Sequence, residues 1–169
     1  WIDKESPLFK VPHTQGKAID LVLFDPNSQV MKSVTFNKSF EMLKVQSIKA
    51  PNMLDRYDAV FAMKSLPLDK KRDALIEAFQ KNAYHATRSE IVSQLIEDKD
   101  PKGIQLIKQA IHDKDVQVRK SVITNAWHLE ESLLTDFETL LLDSSYATIT
   151  MALEKLCFQF PQNTQKYLY

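Results

Sequence analysis

The chain has 169 residues, with 22 basic against 22 acidic side chains, 44% apolar and 26% charged residues, seven prolines, two glycines and one cysteine. That length supports one or two small domains with a buried core, and the composition excludes a disordered tail. A net charge of zero removes the broad basic field that nucleic-acid or polybasic membrane binding needs, and two glycines are too few for a glycine-built phosphate cradle.

The opening Trp1-Ile2-Asp3-Lys4-Glu5-Ser6-Pro7 has no initiator methionine and neither the basic nor the apolar region of a signal sequence. It reads as the interior of a longer chain. No apolar run reaches the about 18 residues that a membrane helix requires, so no membrane partner is expected.

Residues 7–37 carry strand signals. Pro7 to Pro12 alternates, Gly16 in Thr14-Gln15-Gly16-Lys17 is placed for a positive-φ turn, Ala18 to Phe24 is apolar and rich in β-formers, Asp25-Pro26-Asn27-Ser28 is a second turn, and Val30 to Phe36 alternates again. Three such strands predict a small N-terminal sheet remnant, over 1–37, that is marginal alone and packs on the helices after it or has its partner strands elsewhere.

From residue 38 to 169 the period becomes helical. Ser39–Lys49 is a first helix closed by Ala50-Pro51; Asn52 caps a second running to about Leu66; Pro67-Leu68-Asp69 opens a third ending near Asn82. Further helices are predicted at 86–97, 101–112, 116–129, 132–142 and 146–159, with a last one after Pro161. The connections are short, as in antiparallel helical hairpins.

These helices repeat. Arg56, Arg88, Arg119 and Ile149 fall in one column with spacings of 32, 31 and 30, and each is followed by apolar residues at +3, +4 and +7. Those are Ala59, Val60 and Met63; Ile91, Val92 and Leu95; Val122, Ile123 and Ala126; and Ala152, Leu153 and Leu156. One helical face recurring at this period predicts a mainly α chain, an α-solenoid of antiparallel helix pairs. Asp115-Val116-Gln117-Val118-Arg119-Lys120-Ser121-Val122 resembles the Asp-x-x-Val-Arg-x-x-Ala signature of HEAT repeats. In it Asp115 stands where an N-cap belongs, and Arg119 is within reach of it or of an acid in the adjacent unit. The arginine column serves repeat stacking or contacts a ligand. Ile149 in place of arginine marks an atypical terminal unit.

Chemistry is hard to find. His13, His85, His112 and His128 are 72, 27 and 16 residues apart, so none makes the i, i+4 pair of a zinc helix. His112 and His128 are expected at helix C-termini, where the dipole favours a cationic ring. Cys157, between Leu156 and Phe158, reads as a buried inert thiol. No nucleophile elbow, Walker loop or dinucleotide fingerprint occurs, and the carboxylate pairs Glu130/Glu131 and Asp98/Asp100 read as solvated surface. Lys70, Lys71 and Arg72 form a basic cluster at a helix start, where the dipole disfavours it, which points weakly to an anionic contact. Lys102, Gln105, Gln109 and His112 form a polar stripe opposite Ile104, Ile107 and Ile111, either a solvated face or a peptide-contacting one. They are the candidate substrate-binding residues; no catalytic or metal residue is expected in this chain.

The order of modules carries a second resemblance. Phe24-Asp25-Pro26-Asn27, the alternating run Val30–Phe36, a helix, and then Asp55-Arg56-Tyr57-Asp58-Ala59 resemble the junction between a small β-sandwich domain and a HEAT-like helical domain in the C-terminal part of the aminopeptidase N family of zinc metallopeptidases, the gluzincins. The similarity spans essentially the whole chain. It implies a non-catalytic helical domain that walls the active-site cleft, partnered by an upstream catalytic domain of the same chain and by peptide substrate, with zinc as cofactor of the parent enzyme only. The family's His-Glu-x-x-His helix, its glutamate ligand and its Gly-x-Met-Glu-Asn loop match no position here. The alternative is a stand-alone HEAT-like protein-interaction scaffold; a nucleic-acid binder would want a basic stripe on the second helices, which the sequence lacks.

Overall fold

The computed structural model describes residues 16, 19–26, 29–31 and 34–168. The described part is mainly helical: α1 (Phe40–Lys49), α2 (Met53–Ala62), α3 (Leu68–Lys81), α4 (His85–Leu95), α5 (Pro101–Ile111), α6 (Val116–Asn125), α7 (Glu131–Glu138), α8 (Tyr146–Gln159) and α9 (Thr164–Leu168). Short 3₁₀ turns extend α2 through Met63–Ser65 and α7 through Thr139–Leu142, and Pro161–Asn163 leads into α9.

The helix starts follow from side-chain oxygens that accept the otherwise orphaned first-turn N–H groups. Ser39 takes the Met42 N–H, Asn52 that of Leu54, Asp100 that of Lys102, Asp115 that of Gln117 and Ser145 that of Thr148. Pro101 occupies the first position of α5, where its missing N–H costs nothing.

Helices α2, α4, α6 and α8 pack in succession, and α1, α3, α5 and α7 do the same in a second row. The rows meet where α1 packs on α2, α3 on α4, α5 on α6 and α7 on α8. The core between them is the recurring apolar face. All the +3, +4 and +7 residues are buried except Leu153, which is half-buried on the last long helix. Fully burying one such Leu, Ile or Val side chain contributes about 1.5–3 kcal/mol, so this face is the main stabilising term.

The arginine column is structural where it is paired. Arg56 donates to the Ala50 carbonyl, Arg88 to those of Asn82 and Ala83, and Arg119 to those of Asp113 and Lys114. Each therefore reaches back to the end of the preceding helix and satisfies carbonyls that have lost their intrahelical donors. Two of them also reach forward to a carboxylate in the next turn, Arg88 to Asp113 at 2.9 Å and Arg119 to Asp143 at 2.5 and 2.9 Å. A third pair of this kind, Arg72 with Asp98 at 2.6 and 2.9 Å, comes from α3. In all three turns the aspartate also accepts the N–H two residues on, from Asp100, Asp115 and Ser145, and that residue caps the next helix.

Several sequence expectations are corrected here. Asp98 is not solvated surface but 4% exposed, held by Arg72. The basic cluster disperses, because successive helix residues point about 100° apart. Lys70 lies over the Phe40 ring, Lys71 is buried with its ammonium on the Met63 and Lys64 carbonyls, and Arg72 is on Asp98. Helix α6 stops at Asn125, not 129: Glu97 in the turn after α4 accepts the N–H groups of Trp127 and His128, and Gln159 of α8 accepts that of Leu129, so two distant side chains take the N–H groups of this link. Cys157 is half-buried rather than buried.

Of the predicted strands, 7–12 lies outside the described residues, and no strand forms in the described parts of 18–24 and 30–36. Gly16 has the positive φ expected, 84°, and the Asp25 carboxylate accepts from the Gln29 and Val30 N–H groups at the second turn. The apolar side chains around it stand in solvent, Ile19 60%, Phe24 61% and Val30 64% exposed. A strand needs a neighbouring strand to take its backbone groups; the described residues beside this segment include Leu43, Gln46 and Phe61 of α1 and α2, whose backbone groups are spent within the helices.

Two changes test this packing. A Cβ on Gly103 would sit 2.7 Å from Cγ and 2.8 Å from Cβ of Asp98, whose carboxylate is pinned by Arg72. Gly103→Ala should therefore lower stability in urea by about 1–3 kcal/mol, although helix propensity alone favours alanine by about 1 kcal/mol. Thr87, Val118 and Thr148 occupy equivalent buried positions, and the Thr87 and Thr148 hydroxyls have no hydrogen-bond partner among the described residues. Thr148→Val, which copies the apolar choice at Val118, should raise stability by about 1 kcal/mol in the same assay.

Candidate functional site

The polar stripe lies where its spacing predicts. Lys102, Gln105, Gln109 and His112 are all exposed along one face of α5, with His112 as its C-cap, while Leu106, Ile107, Ala110 and Ile111 face the core. The stripe is tied to both neighbours in its row. Toward α3, Lys102 is 2.9 Å from Asp73, and the Gln80 amide donates to the Gln109 carbonyl oxygen at 2.7 Å. Toward α7, the Lys108 ammonium and the His112 ring meet the two oxygens of Asp136 at 3.1 and 3.3 Å.

These contacts set the electrostatics. Burial pushes the Asp136 carboxyl up, but the bonds from Lys108 and His112 together outweigh it and hold it below its ordinary 3.8. Asp73 is also held low, by its bond from Lys102, which is correspondingly raised. Between α3 and α5 runs a shallow groove of about 360 Å³ lined by Asp73, Ile76, Gln80, Lys102, Gln105 and Leu106, together with Gln109. It has an apolar floor, amides at one end and a closed ion pair at the other.

A second groove, of about 500 Å³, crosses α2, α4 and α6 and includes Tyr57, Ser89, Glu90, Ser93, Gln117 and Lys120. Sequence reasoning passed over it. The available signal is that Ser89, Glu90 and Ser93 are followed 31 residues later, in the register of the arginine column, by Lys120, Ser121 and Thr124, one polar face in two units. Its hydroxyls are mostly turned back on their own helices: Ser93 bonds the Glu90 carbonyl, Ser121 that of Val118 and Thr124 that of Lys120. Glu90 is faced by Lys64 at 3.8 Å and by the Gln94 amide.

No catalytic grouping emerges from these parts. His85 lines the second groove, His112 pairs with Asp136, and His128 is exposed in the link after α6, not at a helix C-terminus. Among the described residues no three His, Cys, Asp or Glu side chains gather to hold a metal ion, so this set does not fit zinc. No described helix is long and apolar enough to cross a membrane. Comparison with protein families, curated proteins and solved structures finds no match to this chain.

The Asp136 contacts make a pH-dependent prediction. A carboxyl whose folded pKa is depressed stabilises the fold above its unfolded value and loses that contribution as pH falls through the folded one. Urea midpoints of the native chain should therefore be level above about pH 5 and drop below the ordinary 3.8 of Asp136. Asp136→Asn should start about 1 kcal/mol lower at neutral pH and fall less steeply in acid; parallel acid slopes would contradict the assignment.

Proposed function

We propose that the chain is a HEAT-like α-solenoid of antiparallel helix pairs that serves as the non-catalytic helical wall of a zinc aminopeptidase. Its N-terminal segment is then the end of a β-sandwich domain. The solenoid reading is supported by the two rows of helices and by the recurrence of the arginine–aspartate turn between units. The observation that carries the peptidase reading is the junction. An apolar segment with Phe24-Asp25-Pro26, in which Val22 and Phe24 stay largely exposed, leads into the helix pair α1–α2, whose second member carries Asp55-Arg56-Tyr57-Asp58-Ala59.

In this role the chain supplies no group to the reaction. In the parent enzyme zinc would polarise the scissile carbonyl and activate water, while the helical wall limits access by size and touches the far part of the peptide. Exposed amides and locally paired charges suit that task, since they give hydrogen bonds without a field that would sort substrates by charge. Peptide substrate and the upstream catalytic domain of the same chain are the partners on this reading.

Translation of the gene upstream of the Trp1 codon tests it. A His-Glu-x-x-His helix is expected in frame, and the chain purified alone should contain no stoichiometric zinc by elemental analysis. A start codon directly before Trp1 would overturn the reading in favour of a stand-alone interaction scaffold, and bound zinc would overturn the non-catalytic role.

A further inference from the structure

Groove-lining residues of α3 and α5 are in register at a constant separation of 29: Asp73 with Lys102, Ile76 with Gln105 and Gln80 with Gln109. The outer rungs are closed, by the ion pair at 2.9 Å and the amide–amide hydrogen bond at 2.7 Å. The middle rung is open. Ile76 packs down against the core and cannot answer an amide, and the exposed Gln105 side chain makes no hydrogen bond among the described residues.

The opening has the size of a short extended peptide. Seven residues separate the closed rungs along each helix, which at 1.5 Å per residue is about 10 Å, and an extended chain advances about 3.3 Å per residue. About three residues therefore fit between them. A residue in an extended strand presents its own N–H and C=O toward the same side, and one carboxamide can donate to that carbonyl while accepting from that N–H. Gln109 has spent its oxygen on Gln80 and keeps its amide hydrogens, and Gln80 keeps its oxygen, so the amide end of the groove can extend the same pattern. The side chain on the opposite face of that residue pair falls on Ile76 and Leu106, an apolar floor. The one pair of charges in the groove, Asp73 and Lys102, neutralises itself, so charged side chains have no counterpart here.

We propose that the groove between α3 and α5 binds about three residues of extended peptide through their main chain, with the Gln105 carboxamide paired to the middle residue and an apolar side chain seated on Ile76 and Leu106. The proposal rests on the reading of this chain as a peptide-contacting wall and names the part of the peptide that is held.

The test uses the full chain and a fluorescein-labelled Ala-Ala-Leu-Ala-Ala peptide amide, titrated by fluorescence anisotropy. Gln105→Ala should weaken binding about tenfold, the worth of one well-formed bidentate contact, with an unchanged melting temperature because the side chain is exposed. N-methylation of the leucine nitrogen should cost a similar factor in the native chain and almost nothing further in Gln105→Ala, since both changes remove the same contact. Binding that ignores Gln105, additive losses from the two changes, or no binding at millimolar peptide would each overturn the groove assignment. None of these outcomes alters the upstream-gene test; equally, a Gln105-dependent complex in a chain with no upstream zinc helix would keep the groove and discard the peptidase.

Discussion

The structure depends on one recurring arrangement, an arginine that closes the end of one helix and grips the aspartate opening the turn of the next unit. Arg88 with Asp113 and Arg119 with Asp143 do both from one row, while Arg72 in the other row makes only the grip, on Asp98. The aspartates are nearly buried, so the attraction acts in a poor dielectric and the loss of either partner would leave an uncompensated charge. The Arg119 hydrogen bonds hold the Asp143 carboxyl below its ordinary range against the opposing effect of burial. Apolar burial supplies most of the stabilisation, but it is non-directional. The forked guanidinium is what specifies the distance between one turn and the next.

That specification reaches the surface. Because each gripped aspartate also orders the residue that caps the following helix, the start of α5, α6 and α8 is set relative to the helix carrying the arginine. The rungs across α3 and α5 can keep a constant offset of 29 only if the α5 start does not slip against α3. Arg72, Asp98 and Gly103 are the residues that prevent it, with Gly103 leaving room for the buried carboxylate beneath the first turn. An interior ion pair thus determines which polar side chains meet on the outside.

Much of this was legible in the residues, and the parts that were not fail for identifiable reasons. The column Arg56, Arg88, Arg119 and the apolar face behind it are visible because a helix repeats with a fixed period, so burial recurs at fixed offsets. Asp115 as a cap and Arg119 as its neighbour in space could be read from local spacing. Arg72–Asp98 could not, because the partners are 26 residues apart and each is embedded in a run of like residues that mimics a solvated patch. The overlong α6 shows the same blindness: Trp127 and Leu129 continue the apolar rhythm, and only the long-range acceptors Glu97 and Gln159 end the helix earlier. For the candidate site, the shared face of Lys102, Gln105, Gln109 and His112 was readable from one helix, whereas their pairing with Asp73, Gln80 and Asp136 needed three.

The balanced charge takes on a different meaning once these pairs are placed. Twenty-two cations against 22 anions could describe a surface with opposed patches, but here many opposite charges are matched across neighbouring helices, from Lys44–Glu77 through Lys102–Asp73 and Lys108–Asp136 to Lys166–Glu138. Rows of helices joined by such rungs expose little unmatched charge along the seam. What remains for recognition on that seam is neutral hydrogen bonding and shape, carried by amides such as Gln105 over an apolar floor. Groups of that kind discriminate poorly between side chains and well between peptide main chain and anything lacking it.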